Sequence, residues 1–179
     1  MDVSEDTLAT LKEHYESGQE LTDEELDLIA DTSIEYLRNI LGFFGETSSE
    51  IDEYEGDEGE LILDVNGGDL AVLIGRHGKT LDAMQSIMSS LVNVGLGFHY
   101  PVVIDIEGYK NRRRAKIQQM AHSAAERAKR QHEAVRLPHM NAYERRIAHM
   151  TLAQDPDVTT HSEGEDPNRS VVITPLKSR

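Results

Sequence analysis

The sequence predicts an α+β chain of two small modules. A three-stranded sheet with helices on one face is followed by a smaller α/β module, and a long basic helix connects them. Three observations carry that prediction. Between residues 23 and 106, helical spacing and strand-like alternation follow one another as helix, strand, strand, helix, glycine turn, helix, strand. A basic stretch of helical period runs from Tyr109 to Ala134, and a strand, a helix and a hairpin complete the chain to Thr174. A length of 179 residues suits one domain or two small ones, and a hydrophobic fraction of 38% is enough for packed cores.

Taken in order, residues 1–21 are strongly acidic with scattered Leu8, Leu11 and Tyr15, which predicts a mobile segment or a fraying helix. Thr22-Asp-Glu-Glu25 has the form of a capping box. The recurrence of Leu26, Ile29, Ala30, Ser33, Leu37, Ile40 and Leu41 then predicts a helix over 23–43, stopped near Gly42 and Gly45. Ile51 to Tyr54 and Glu60 to Val65 read as strands around a turn at Gly56–Gly59, and Asn66-Gly67-Gly68-Asp69 turns the chain into a short helix over 69–74. Leu81, Met84, Ile87, Met88, Leu91 and Val94 mark the next helix, which Gly95 to Gly97 stops. Tyr100 to Ile106 is a β-branched strand. In the basic helix, Ile117, Met120, Ala121, Ala124 and Ala128 share a stripe, with Lys110, Arg112, Arg113, Arg114 and Lys116 in its first turns and Arg127, Lys129 and Arg130 near its end. Val135 to Leu137 is a short strand ended by Pro138. Asn141 to Gln154 is a helix with Tyr143, Ile147 and Met150 toward a core, and Val158–Ser162 pairs with Arg169–Thr174 around Gly164–Asn168. The boundaries are 1–21, 22–108 and 109–179, with the basic helix assigned to the last module.

The stretch with chemistry is Gly75-Arg76-His77-Gly78-Lys79, between the two predicted helices. Glycines at both ends let the backbone turn sharply and approach a ligand closely, and the following helix directs free N–H groups at the same point. An anion is expected there. A nucleotide-binding P-loop would need a glycine where Leu73 stands, so Gly78-Lys79-Thr80 matches only the end of that pattern. The dinucleotide fingerprint fails on spacing as well. The G-x-x-G loop of a KH domain fits, since it joins two helices and clamps about four backbone nucleotides. With the element order, this points to the type II KH arrangement.

Whole-chain charge is −15, but residues 1–60 hold 20 acids and 2 bases, while 105–149 hold 11 bases and 5 acids. Local charge decides where a polyanion can sit. Aromatic content of 5% without tryptophan argues against a broad base-stacking platform, so affinity is expected from the backbone. No cysteine, an acidic start and no apolar run near ~20 residues predict a soluble cytoplasmic protein without a membrane span. His132, His139, His149 and His161 have no compact ligand spacing, so no metal or cofactor is expected. His77 and His149 are candidates to gain charge near pH 6. A nucleotide hydrolase is the enzymatic alternative, and a protein-interaction scaffold is the alternative suggested by the acidic head.

Four motifs in order carry a family resemblance: Leu73 to Gln85, Asp105 to Arg113, Glu144-Arg-Arg-Ile-Ala-His149 and Gly164-Glu-Asp-Pro-Asn-Arg169. From about residue 30 onward the chain resembles the bacterial Jag family, also called KhpB or SpoIIIJ-associated proteins. That resemblance implies a KH domain followed by an R-3-H domain, a small α/β module named for an Arg and a His three residues apart, here Arg145 and His149. It implies non-catalytic binding of single-stranded RNA through Gly75, Arg76, His77, Gly78, Lys79, Arg112, Arg113, Arg145, His149 and Arg169. Also implied are control of cell-envelope growth and division and a small partner KH protein of the KhpA type, with homo-oligomers possible. Many members begin with a separate N-terminal domain and linker, where this sequence has only the acidic segment.

Overall fold

The structure is a computed structural model describing residues 4–57 and 59–176. The chain divides into two compact units after Tyr109. In the first, α1 (Glu5–Glu16) and α2 (Asp23–Phe43) precede β1 (Glu50–Glu55) and β2 (Leu61–Asn66). There follow α3 (Ala71–Ile74), a single 3-10 turn over Arg76–Gly78, α4 (Lys79–Leu96) and β3 (Val102–Ile106). The sheet order is β1-β2-β3, antiparallel then parallel, with Leu63 opposite Glu53 on one side and Ile104 on the other.

Alternation along β2 buries Leu63 and Val65 and leaves Asp64 and Asn66 on the opposite face. The buried pair joins Ile104 and Ile106 of β3, Leu37 and Leu41 of α2, and Leu81, Met84, Met88 and Val92 of α4 in one core. The α2 start is a complete capping box, with Thr22 accepting from the Glu25 amide and Glu25 from the Thr22 amide. Gly97, at φ 76°, ends α4.

Of the two forms expected for the acidic head, a mobile segment or a fraying helix, the structure has the helix, and it packs on the first unit. Ser4 caps α1, and Leu11 on its inner face is fully buried in the core of the first unit. Tyr15 packs on Phe98 and Tyr100 with ring centroids 4.9 and 5.4 Å away, and His14 Nδ1 lies 2.8 Å from Glu25 Oε1. Leu8, Leu11 and Tyr15 recur at helical spacing, so one face is apolar although the segment as a whole is polar.

The second unit holds nearly all of α5 (Tyr109–Gln131), then β4 (Val135–His139), α6 (Ala142–Leu152), β5 (Val158–Glu163) and β6 (Ser170–Pro175). Its antiparallel sheet has the order β4-β6-β5. Ile117, Ala121, Ala124 and Ala128 of α5 pack with Ala148 and Leu152 of α6 and Val171 and Ile173 of β6.

Two local readings are corrected here. Pro138 lies inside β4 rather than ending it; β4 is an edge strand, where a missing amide costs no ladder bond, and its register with β6 shifts between Arg136 and His139. The inner face of α6 carries Glu144, Arg145, Ala148 and Leu152, while Tyr143 and Met150 are exposed. Tyr143 and Met150 were expected toward the core, and two charged side chains with hydrogen-bond partners are buried in their stead.

Leu11→Ala removes a fully buried side chain at the α1 contact. It should lower the unfolding free energy of the full chain by about 2–5 kcal/mol. A denaturant midpoint equal to the parent's would show that α1 adds nothing to the first unit's stability.

Candidate nucleic-acid interface

The loop between α3 and α4 is set by two left-handed glycines. Gly75 (φ 69°, ψ −173°) leaves the α3 helix, and Gly78 (φ 78°, ψ 8°) starts α4. A Cβ at Gly75 would stand 2.1 Å from Thr80 Oγ1, and one at Gly78 would stand 2.9 Å from Tyr109 Cε1. No larger residue fits without displacement at either position. Between them His77 also has positive φ, at 57°. The turn therefore pushes Arg76 and His77 outward, and with Lys79 they are all exposed. Among the described residues no side chain caps the N-terminus of α4, whose first amide, that of Lys79, donates to the Arg76 carbonyl within the turn.

α4 is held in place by contacts that sequence reading missed. Gln85 Nε2 donates to the Val102 carbonyl at 2.7 Å, and its Oε1 accepts from the Ile104 amide at 2.9 Å. Asn93 Oδ1 accepts from the Tyr100 amide at 3.2 Å. A glutamine inside a helical apolar pattern looks like surface; only the pairing of β3, which has β2 on one side alone, shows why it is needed.

The loop carries basic side chains, and the sheet face opposite the core carries acidic ones. Asp52, Asp64 and Asp105 stand in register across β1, β2 and β3 on that face. Burial first, then the carboxylates of Asp64, Asp105 and Asp52, raise the Tyr54 phenol above its ordinary value.

In the second unit, the Arg-x-x-x-His pair does lie on one side of α6, and both side chains are used internally. Arg145 is buried; its Nη1 donates to the Met140 carbonyl and to Asp166 Oδ1, each at 2.8 Å. That ties the α6 N-terminus to the β5–β6 loop. His149 Nδ1 lies 2.7 Å from Thr160 Oγ1 and Nε2 lies 3.0 Å from Ser162 Oγ, both hydroxyls on β5. Burial, followed by the nearby Arg145 and His161, holds the ring below the usual histidine range. A gain of charge at His149 near pH 6 is thereby disfavoured.

Arg113 is likewise occupied, with Nε donating to Glu144 Oε1 at 2.6 Å. Glu144 Oε2 accepts the Asn141 amide and completes the α6 capping box, a function readable from the Asn141 to Glu144 spacing. The Arg169 carbonyl accepts the Met140 amide at 3.1 Å, and the buried Arg169 Nε has no hydrogen-bond partner among the described residues. Arg112 is exposed. Arg76, His77 and Lys79 are thus exposed together in the first unit, whereas Arg113, Arg145 and His149 knit the second unit together.

Residues 34–104 match the KH domain of the KhpA/KhpB family, and residues 115–175 match the R-3-H domain. The chain is 35% identical over 148 residues to the RNA-binding protein KhpB of Clostridium symbiosum, an alignment covering 83% of this chain and 67% of that protein. The chain belongs to the KhpB family. KhpB of Lactiplantibacillus plantarum is 38% identical over 102 residues, 57% of this chain and 32% of the relative. KhpB of Bacillus subtilis is 31% identical over 112 residues, 62% of this chain and 54% of the relative. The chain therefore spans from about a third to two thirds of these KhpB proteins.

Two outcomes follow for this KhpB-family chain. Gly75→Ala must take a left-handed conformation against Thr80, so a loss on the order of 1–3 kcal/mol is expected in thermal unfolding. An unchanged melting temperature would refute the geometry of the turn. For His149, a depressed native value means that the unfolded chain binds more protons as pH falls below about 6.5. Its contribution to stability is complete above that pH and is lost on further acidification. A His149→Asn variant should lose less stability than the parent between neutral and mildly acidic pH; parallel curves would remove His149 from the account.

Proposed function

We propose that this chain binds single-stranded RNA and acts as a non-catalytic regulator, with the Gly75 to Lys79 turn clamping the phosphate backbone. The observation that carries this reading is the turn itself. Two glycines that exclude any side chain bring exposed Arg76, His77 and Lys79 to the N-terminal, positive end of the α4 dipole. The relatives' name, RNA-binding protein KhpB, supports it. Nothing in the site calls for a catalytic group, because holding a phosphate needs only donors and positive charge. Following the family resemblance, the regulation concerns cell-envelope growth and division, and the setting is the cytoplasm. Among the described residues no helix is long and apolar enough to cross a membrane.

The resemblance also implies a small KH-domain partner, and one surface has suitable chemistry. Ile87, Leu91 and Val94 are 52%, 37% and 83% exposed on α4, at spacings that align them on one helical face. An apolar stripe of this kind suits a helix from a second protein, or from a second copy of this chain.

Replacing both Arg76 and His77 by Asp should weaken binding to a labelled single-stranded RNA by about tenfold or more, since charge-assisted contacts become repulsive. The variant should melt like the parent, because the loop side chains are exposed. Affinity of the parent should fall with salt at a log-log slope of about 0.7 per phosphate neutralised. Undiminished affinity in the double variant would exclude the turn as the clamp.

A further inference from the structure

Outside the glycine loop and the Arg-x-x-x-His region, the second unit has an open groove of about 680 Å³ between α5 and β4. Lys116, Arg127, Arg136 and His139 line it, and Met120 and Leu137 contribute apolar surface. No Asp or Glu is among its lining residues. We propose that this groove is a second binding track for single-stranded polynucleotide, with Lys116 and Arg127 holding phosphates and the apolar surface supporting sugars and bases. The proposal rests on the RNA-binding reading above and gives it a site that neither the family motif nor the glycine loop supplies.

Three observations favour a polynucleotide. The first is how the cations of α5 divide. Arg113 is consumed by Glu144, and Lys129 by Asp155 and Glu126, whose hydrogen bonds raise its pKa. Lys116 and Arg127, by contrast, make no ion pair among the described residues, and both are exposed. Arg136 is shared, since it pairs with Glu163 and with Ser170 Oγ. Internal neutralisation thus spares the two α5 cations that face the groove.

Helix geometry is the second. Lys116 and Arg127 are eleven residues apart, about three turns, so they share one face and lie roughly 16 Å apart along the axis. Met120 falls on the same stripe between them. Two fixed cations at that separation can neutralise phosphates of one strand while a base or sugar covers the methionine.

The third is the character of β4. An edge strand beside a groove could otherwise recruit an extended peptide through backbone hydrogen bonds. Here Pro138 removes a donor, and the register shift between Arg136 and His139 breaks the even spacing such pairing needs. Recognition at this edge falls to side chains, and those side chains are basic.

The test uses the full chain and a labelled oligouridine in anisotropy titrations from low to physiological salt. Lys116→Glu with Arg127→Glu is compared with Arg114→Glu plus Arg130→Glu, an equal charge change at exposed α5 positions outside the groove lining. The groove pair should lose about tenfold or more in affinity, its salt slope should fall by about 1.4, and the other pair should lose less. Lys116→Gln with Arg127→Gln, which removes the charges without reversing them, should show the same slope change with a smaller loss. It decides the matter if circular dichroism shows that the glutamate pair is unfolded. Equal losses from the groove pair and the outside pair would overturn the groove. So would tighter binding of an oligoglutamate peptide than of oligouridine, which would assign the groove to an acidic protein. If the groove variants bind like the parent, the groove falls and the RNA-binding reading stands; if the parent fails to bind oligouridine, both fall.

Discussion

Parallel pairing of β2 and β3 is the constraint on which the first unit depends. Two strands running the same way cannot be joined by a tight hairpin, so the chain must travel back along the sheet before β3 begins. The return is made by α4, whose 18 residues span about 27 Å. α3 and the glycine turn are what allow α4 to start close to the end of β2. The exposed basic loop is therefore a by-product of connectivity, placed at the corner where the crossover reverses. Its rigidity comes from the same source, since Tyr109 and Thr80 fill the space on which the two glycines close.

Much of this arrangement was legible because its elements carry local signals. α2 begins and ends where the Thr22 to Glu25 box and the glycine-containing end of the helix place it. The α3–α4 connection was readable from glycine spacing alone. What escaped were positions where tertiary partners outweigh residue type. Glu144 and Arg145 are buried because Arg113, the Asn141 amide, the Met140 carbonyl and Asp166 satisfy them, and a pattern reading that puts charge outside rotates α6 the wrong way. α1 was hidden by composition, since its acids outnumber the few apolar residues that dock it. In both cases some deciding partners, Arg113 and Asp166 for α6 and Phe98 and Tyr100 for α1, stand far off in the sequence.

The Arg-x-x-x-His spacing places its two side chains correctly on one face, and the structure adds what each of them holds within the unit. One face of α6 does carry both side chains, as helix periodicity requires. That face is turned to β5 and the following loop, so Arg145 closes a loop and His149 bridges two hydroxyls. Both ring nitrogens of that histidine are engaged, and burial keeps it below its usual pKa.

The way Gln85 covers β3 has a bearing on how copies of this chain meet. Its amide occupies the Val102 carbonyl and the Ile104 amide, backbone groups that a foreign strand would need. At the other margin of the sheet, β1 carries Glu50, Asp52, Glu53 and Glu55 in six residues, so a second β1 would bring like charges together. One edge is shielded by a hydrogen-bonding side chain and the other by electrostatic repulsion. Copies of this chain brought close together therefore find no ready template for strand pairing at the edges of the first unit's sheet.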